Sequence, residues 1–156
     1  MASALDMLLA AIDEAYERKS WHGTNLRGSL RGLSAEEAIW RPAEGRHNVW
    51  ELAVHAAYWK YAVRRRLRGD KRGSFPLKGS NFFDSPQKAD DAAWRDALAL
   101  LDEQHRALRD SIARLPASAL DDLKKRQLIT GIAAHDLYHT GQIQLIKRLR
   151  VYSRSK

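Results

Sequence analysis

The chain has 156 residues, no cysteine and a formal charge of +8. At that length roughly 68–70% of the unfolded surface can be buried, enough for one core without covalent staples, and the missing thiols exclude disulfides, thiolate-held metals and cysteine nucleophiles. No apolar run approaches the roughly 18 residues of a membrane span, and Met1 to Ala11 carry Asp6 but no basic leader, so a single cytoplasmic domain, 1–156, without membrane association is expected.

Residues 4–18 place Leu5, Leu8, Leu9, Ile12, Ala15 and Tyr16 three and four apart, the spacing of one helical stripe. A break follows at Trp21-His22-Gly23, after which Thr24 or Asn25 can cap a restart through Leu26 and Leu30. Ser34-Ala-Glu-Glu37 has the form of a capping box for a short turn that ends before Pro42.

The second long helix is expected from Asn48, with Glu51 in capping position, to Gly69 as its stop, and its stripe is Val49, Leu52, Ala56, Trp59, Val63 and Leu67. Much of the positive charge crowds its end, in Lys60, Arg64, Arg65, Arg66, Arg68, Lys71 and Arg72. Cations there offset the helix dipole, and three successive arginines cannot share one face to track a nucleic-acid groove. Nucleic acid is therefore not an expected partner.

Residues 70–85, with Gly73, Pro76, Gly79 and Asn81 among aromatics, form a long ordered loop of the kind that often carries function. Ser85-Pro86 offers a cap and a first-turn proline for a third helix, whose stripe of Trp94, Leu98, Leu101, His105, Leu108, Ile112 and Leu115 ends at Pro116. A fourth helix is expected from near Gln127 to about Arg150, with Leu128, Ile132, His135, His139, Ile143 and Ile146 on one face. Four amphipathic helices without strand-like alternation predict an all-α four-helix bundle, with a crossover possible through the long loop.

His135 and His139 lie four apart, so both imidazoles leave one helix face a turn apart, in the middle of an apolar stripe. A single buried histidine is usually a hydrogen-bonded core residue. Two neutral imidazoles stacked in an apolar interior each need a partner, and a shared cation satisfies both. His55, beside Leu52 and Trp59 at the margin of the second helix's stripe, is the candidate third ligand. Three ligands leave positions open for water or substrate, as catalytic sites do. His105 competes as a fourth ligand or as a buried structural residue, the latter being favoured, while His22 and His47 fit either the bundle mouth or the surface. Glu51, one turn before His55, is the one carboxylate placed to act as a base; Tyr58 and Gln142 lie near the histidine stripes and could orient water or ligands.

The stretches Trp21-His-Gly23, Glu36-Glu-Ala-Ile-Trp-Arg-Pro42, Val49-Trp-Glu-Leu-Ala-Val-His55-Ala-Ala-Tyr-Trp59 and Ala134-His-Asp-Leu-Tyr-His-Thr-Gly-Gln-Ile143 resemble the DinB-like superfamily, whose YfiT-like members are described as metal-dependent hydrolases. The resemblance implies a four-helix bundle with one metal-binding histidine on the second helix and two on the last, which fall on His55, His135 and His139. It also implies one divalent transition metal, nickel or zinc, a homodimer, and in some relatives an external low-molecular-weight thiol used by transferases or isomerases.

The reading that follows is an open three-histidine metal site, serving a hydrolase or a thiol-dependent transferase that acts on a small molecule. The alternative is a non-catalytic bundle with a structural metal or a small-ligand site.

Overall fold

Ser3 and Asp6 close a capping box, the Ser3 hydroxyl accepting from the Asp6 N–H at 3.1 Å and the Asp6 carboxylate accepting from the Ser3 N–H at 2.9 Å, and the chain enters α1, Ala4–Tyr16. The computed structural model describes residues 2–155; Met1 and Lys156, the ends of the expected domain, lie outside the described residues. α1 stops short of residue 18 because the N–H groups of Glu17 and Arg18 both return to the Asp13 carbonyl, at 2.9 and 2.8 Å. Asn25 caps α2, Leu26–Ser29, and Ser34 with Glu37 forms the expected capping box of α3, Ala35–Ile39.

Asn48 caps α4, Val49–Arg68, by accepting from the Glu51 N–H, and Gly69 ends it in the left-handed region, at φ 75°. The third long helix, α5, spans Asp91–Ala113 and does not begin at Ser85-Pro86. Asp90 is its cap, its carboxylate accepting from the Ala92 and Ala93 N–H groups at 2.8 and 3.1 Å. Ser85 is committed elsewhere, its hydroxyl accepting from Asn48 Nδ2 at 2.8 Å and tying the loop to the start of α4.

A 3-10 turn, Ala117–Asp121, leads into α6, Leu123–Arg154, which starts four residues before Gln127 and runs past Arg150. The early start comes from Asp122, whose side chain accepts from the Lys124 N–H at 2.8 Å. At 32 residues α6 is the longest element, roughly 48 Å from end to end. Among the described residues there is no strand, and no helix is long and apolar enough to cross a membrane.

α4 packs against α5 and α6, and α1 against α6 and α5, so α1 and α4 occupy one diagonal of the bundle and α5 and α6 the other. The connections that cross a diagonal are therefore α1 to α4, through α2 and α3, and α5 to α6. The long loop before α5 joins two neighbours and makes no crossover.

The core is divided along its length. One apolar cluster gathers Val49, Trp50, Trp94, Leu101 and Ile143 near the loop end, and another gathers Val63, Leu67, Leu108, Ile112, Ile129 and Ile132 at the opposite end. Between them lies a buried polar layer of Lys60, Gln104, His105 and Asp136. Lys60 and Asp136 form an ion pair with side-chain exposures of 0% and 1%, and the Lys60 ammonium also lies over the Tyr16 ring, 4.7 Å from its centroid. Burial pushes the Lys60 ammonium down and the Asp136 carboxyl up, and each charge opposes the shift in the other.

Removing one partner leaves the other charge buried and unpaired. Lys60→Ala is expected to cost about 3–5 kcal/mol in denaturant unfolding, whereas the double variant Lys60→Met, Asp136→Leu recovers most of that loss. A double variant as unstable as the single one would show that shape, not charge, governs the layer.

Candidate metal centre

His55 lies in the second turn of α4, and His135 and His139 occupy successive turns of α6 where the two helices face each other. His55 and His139 are buried and His135 is half-buried. His135 Nε2 is 3.1 Å from His55 Nε2 and 3.1 Å from His139 Nε2, and the three ligand atoms all lie within 4.8 Å of one another. Imidazole nitrogens sharing one ion at about 2.0–2.1 Å sit roughly 3 Å apart, so the spacing fits a common cation.

The outer nitrogens decide the protonation. His55 Nδ1 lies 2.8 Å from the Asn81 carbonyl oxygen, which can only accept, and His139 Nδ1 lies 2.7 Å from Gln142 Oε1. Both rings therefore carry their proton on Nδ1 and present a bare Nε2 lone pair. His135 Nε2 faces both and owns at most one proton, so it cannot satisfy the two of them. A metal ion can, and this pattern of outer hydrogen bonds holding ligating rings in the right tautomer is the usual one. Burial pushes His55 down to about 4 and His135 to about 3, and lowers His139 as well. All three are neutral, the ligating form, at pH 7.

Two residues of the loop before α5 complete the site. Asn81 adopts a left-handed backbone, φ 68°, which asparagine tolerates. This turns its carbonyl toward His55 while its side-chain oxygen accepts from Trp59 Nε1 at 3.0 Å. Phe82 lies between two imidazoles, stacked on His55 at 3.9 Å and on His47 at 3.8 Å. The triad opens into a pocket of about 1020 Å³.

The other expected site residues are distributed differently. Gln142 lines the pocket and holds His139. Tyr58 turns away from it, packing edge-on against Phe75 and against Phe83. Glu51 is buried outside the pocket wall, and its carboxylate accepts from Arg41 and lies 2.8 Å from His47 Nδ1. Burial alone would raise the Glu51 carboxyl, but the hydrogen bonds from Arg41 and His47 outweigh it and bring it down to about 2. His105 is remote from the triad, 1% exposed and stacked on Tyr16 at 3.7 Å. His22 is exposed, and His47 is half-exposed on the pocket rim. Asn81, Phe82 and the Lys60–Asp136 pair escape sequence reasoning; the only signal for the first two is the aromatic, glycine-rich loop that holds them.

The DinB superfamily profile matches residues 19–143, which include all three histidines, the whole of α4 and the part of α6 that carries His135 and His139. The chain belongs to the DinB superfamily. Searches of curated proteins and of solved structures returned no significant match. The grouped histidines of this DinB-superfamily bundle have the spacing to hold a metal ion. Protein purified without an affinity tag or chelator is expected to contain near one equivalent of a transition metal by elemental analysis, and the His135→Ala, His139→Ala variant none. Gln142→Ala, which frees the His139 ring, is expected to weaken metal affinity by about 10–100-fold.

Glu51 gives a separate test. Its pKa is depressed on folding, so its contribution to stability is present above the unfolded value of about 4.3 and is lost as pH falls toward about 2. Glu51→Gln is expected to be less stable at neutral pH, and the gap to wild type in denaturant melts is expected to close across that acidic window. A gap independent of pH would remove the carboxylate's role in anchoring Arg41 and His47.

Proposed function

We propose that this protein is an enzyme that uses a divalent transition metal, held by His55, His135 and His139, to join a low-molecular-weight thiol to a small electrophile. The observation that carries the proposal is the convergence of three imidazole Nε2 atoms at a pocket to which the described residues contribute no carboxylate. Imidazole donors suit zinc and nickel. When bound, such an ion ionises a coordinated thiol and polarises an electrophile.

The chain's own residues supply the rest. Asn81 and Gln142 hold two imidazoles with their lone pairs inward, and Phe82 shields the His55 ring from water. The protein has no cysteine, so the thiol comes from outside. The Arg46 guanidinium, in the pocket wall, has no ion-pair or hydrogen-bond partner among the described residues and is placed to meet an anionic group of that thiol. Hydrolysis is the second reading, and it lacks a positioned base: Glu51 is spent on Arg41 and His47. Thiol transfer needs no such base, because ionisation accompanies coordination.

In the reaction tested, the thiolate sulfur attacks the ring carbon of an activated aryl chloride. The sulfur–carbon bond forms, the carbon–chlorine bond breaks with its electron pair, chloride leaves, and the thiol proton passes to solvent. Nickel-loaded protein is expected to give the thioether by mass spectrometry and a sulfur-to-metal charge-transfer band on thiol addition, both absent in the His135→Ala, His139→Ala variant. Ester hydrolysis that needs no thiol, with no such band, would overturn the assignment in favour of a hydrolase.

A further inference from the structure

The pocket is much larger than a metal and a thiol head require, and it is elongated. From α6 alone His135, His139, Gln142, Leu145, Ile146 and Leu149 line it, a single helix face running roughly 21 Å. Beyond Gln142 the trench changes character. Leu145, Ile146 and Leu149 line it there, and Pro42 and Ala43 also line the pocket, with no charged side chain among these five. Leu145 and Leu149 are 57% and 43% exposed, on a helix that buries Ile129, Ile132, Ile143 and Ile146. A contiguous apolar strip joined to a polar reactive end is the usual form of a small-molecule site.

Resting on the metal site described above, we propose that the electrophilic substrate is an amphipathic molecule with a long apolar tail. Its reacting end sits at the triad, and its tail lies along α6 to Leu149, against Pro42 and Ala43. Among the described residues the wall carries a cation, Arg46, and no carboxylate, so the molecule is neutral or anionic rather than cationic. From His139 to Leu149 the trench offers roughly 15 Å, room for an extended medium-length alkyl chain.

Alkyl hydroxamates test this, since the head chelates a metal and the tail can be lengthened one methylene at a time. Calorimetric titration of zinc-loaded protein from acetohydroxamate to decanohydroxamate is expected to show Kd falling by about threefold to fourfold per added methylene. In Leu145→Lys, Leu149→Lys protein the series is expected to flatten while zinc content, melting temperature and the acetohydroxamate Kd stay at wild-type values.

The same titration of metal-free protein separates the two readings. If the short member binds equally with and without zinc but longer tails still tighten binding, the metal reading fails and the trench stands. If acetohydroxamate binds only the zinc form but the series is flat, the trench proposal is overturned and the metal reading stands. A flat series accompanied by a dimer that dissociates on Leu149→Lys assigns the strip to a second copy of the chain and equally overturns the proposal.

Discussion

The ion pair between Lys60 and Asp136 is the constraint from which the rest of the arrangement follows. Two fully buried charges are tolerated only in each other's company, so α4 and α6 must meet at one register and one rotation. Asp136 points into the bundle, and successive residues on a helix are turned by 100°. His135, its neighbour, is thereby swung toward the outer groove between α4 and α6, with His139 one turn above it and His55 opposite. A pair placed in the centre of the core thus sets the orientation of a site at its edge, and the polar layer it belongs to lies between two apolar clusters.

The long helices are legible from apolar spacing because each buries one stripe, and the short caps at Ser34 and Asn48 are legible because their hydrogen bonds are local. Where capping signals compete, position in the fold decides. Ser85-Pro86 has the better sequence signature, yet Asn48 of a distant segment claims the serine hydroxyl and Asp90 starts the helix instead. The grouping of His55 with His135 and His139 is foreseeable from stripe geometry. Asn81 and Phe82 are not, since their roles depend on a loop path with no periodicity. Asp136 shows the limit most clearly: its place beside a histidine on an amphipathic helix is visible, but the lysine that permits its burial lies 76 residues away.

The site combines rigid placement with an open approach. Two helices fix the three imidazoles, while the loop before α5 supplies the carbonyl that sets one tautomer and the phenyl ring that caps another face. Because burial keeps the rings uncharged, the triad is prepared for a cation without first releasing protons at neutral pH. The loop ahead of α4 forms the opposite wall, anchored by Glu51 through Arg41 and His47, so a carboxylate near the triad acts by holding the wall in place.

The crossed connectivity has a kinetic consequence. His55 and His135 are separated by 80 residues, and the helices that carry them come together only after the chain has run through α5 and made the diagonal crossing from α5 to α6. Contacts of such sequence separation carry a large loop-closure entropy and form late. An ion bound by all three imidazoles therefore acts after the folding transition state, leaving the rate of folding nearly unchanged while slowing unfolding. Its contribution is to the lifetime of the native state, and hence to resistance against proteases that attack the opened chain.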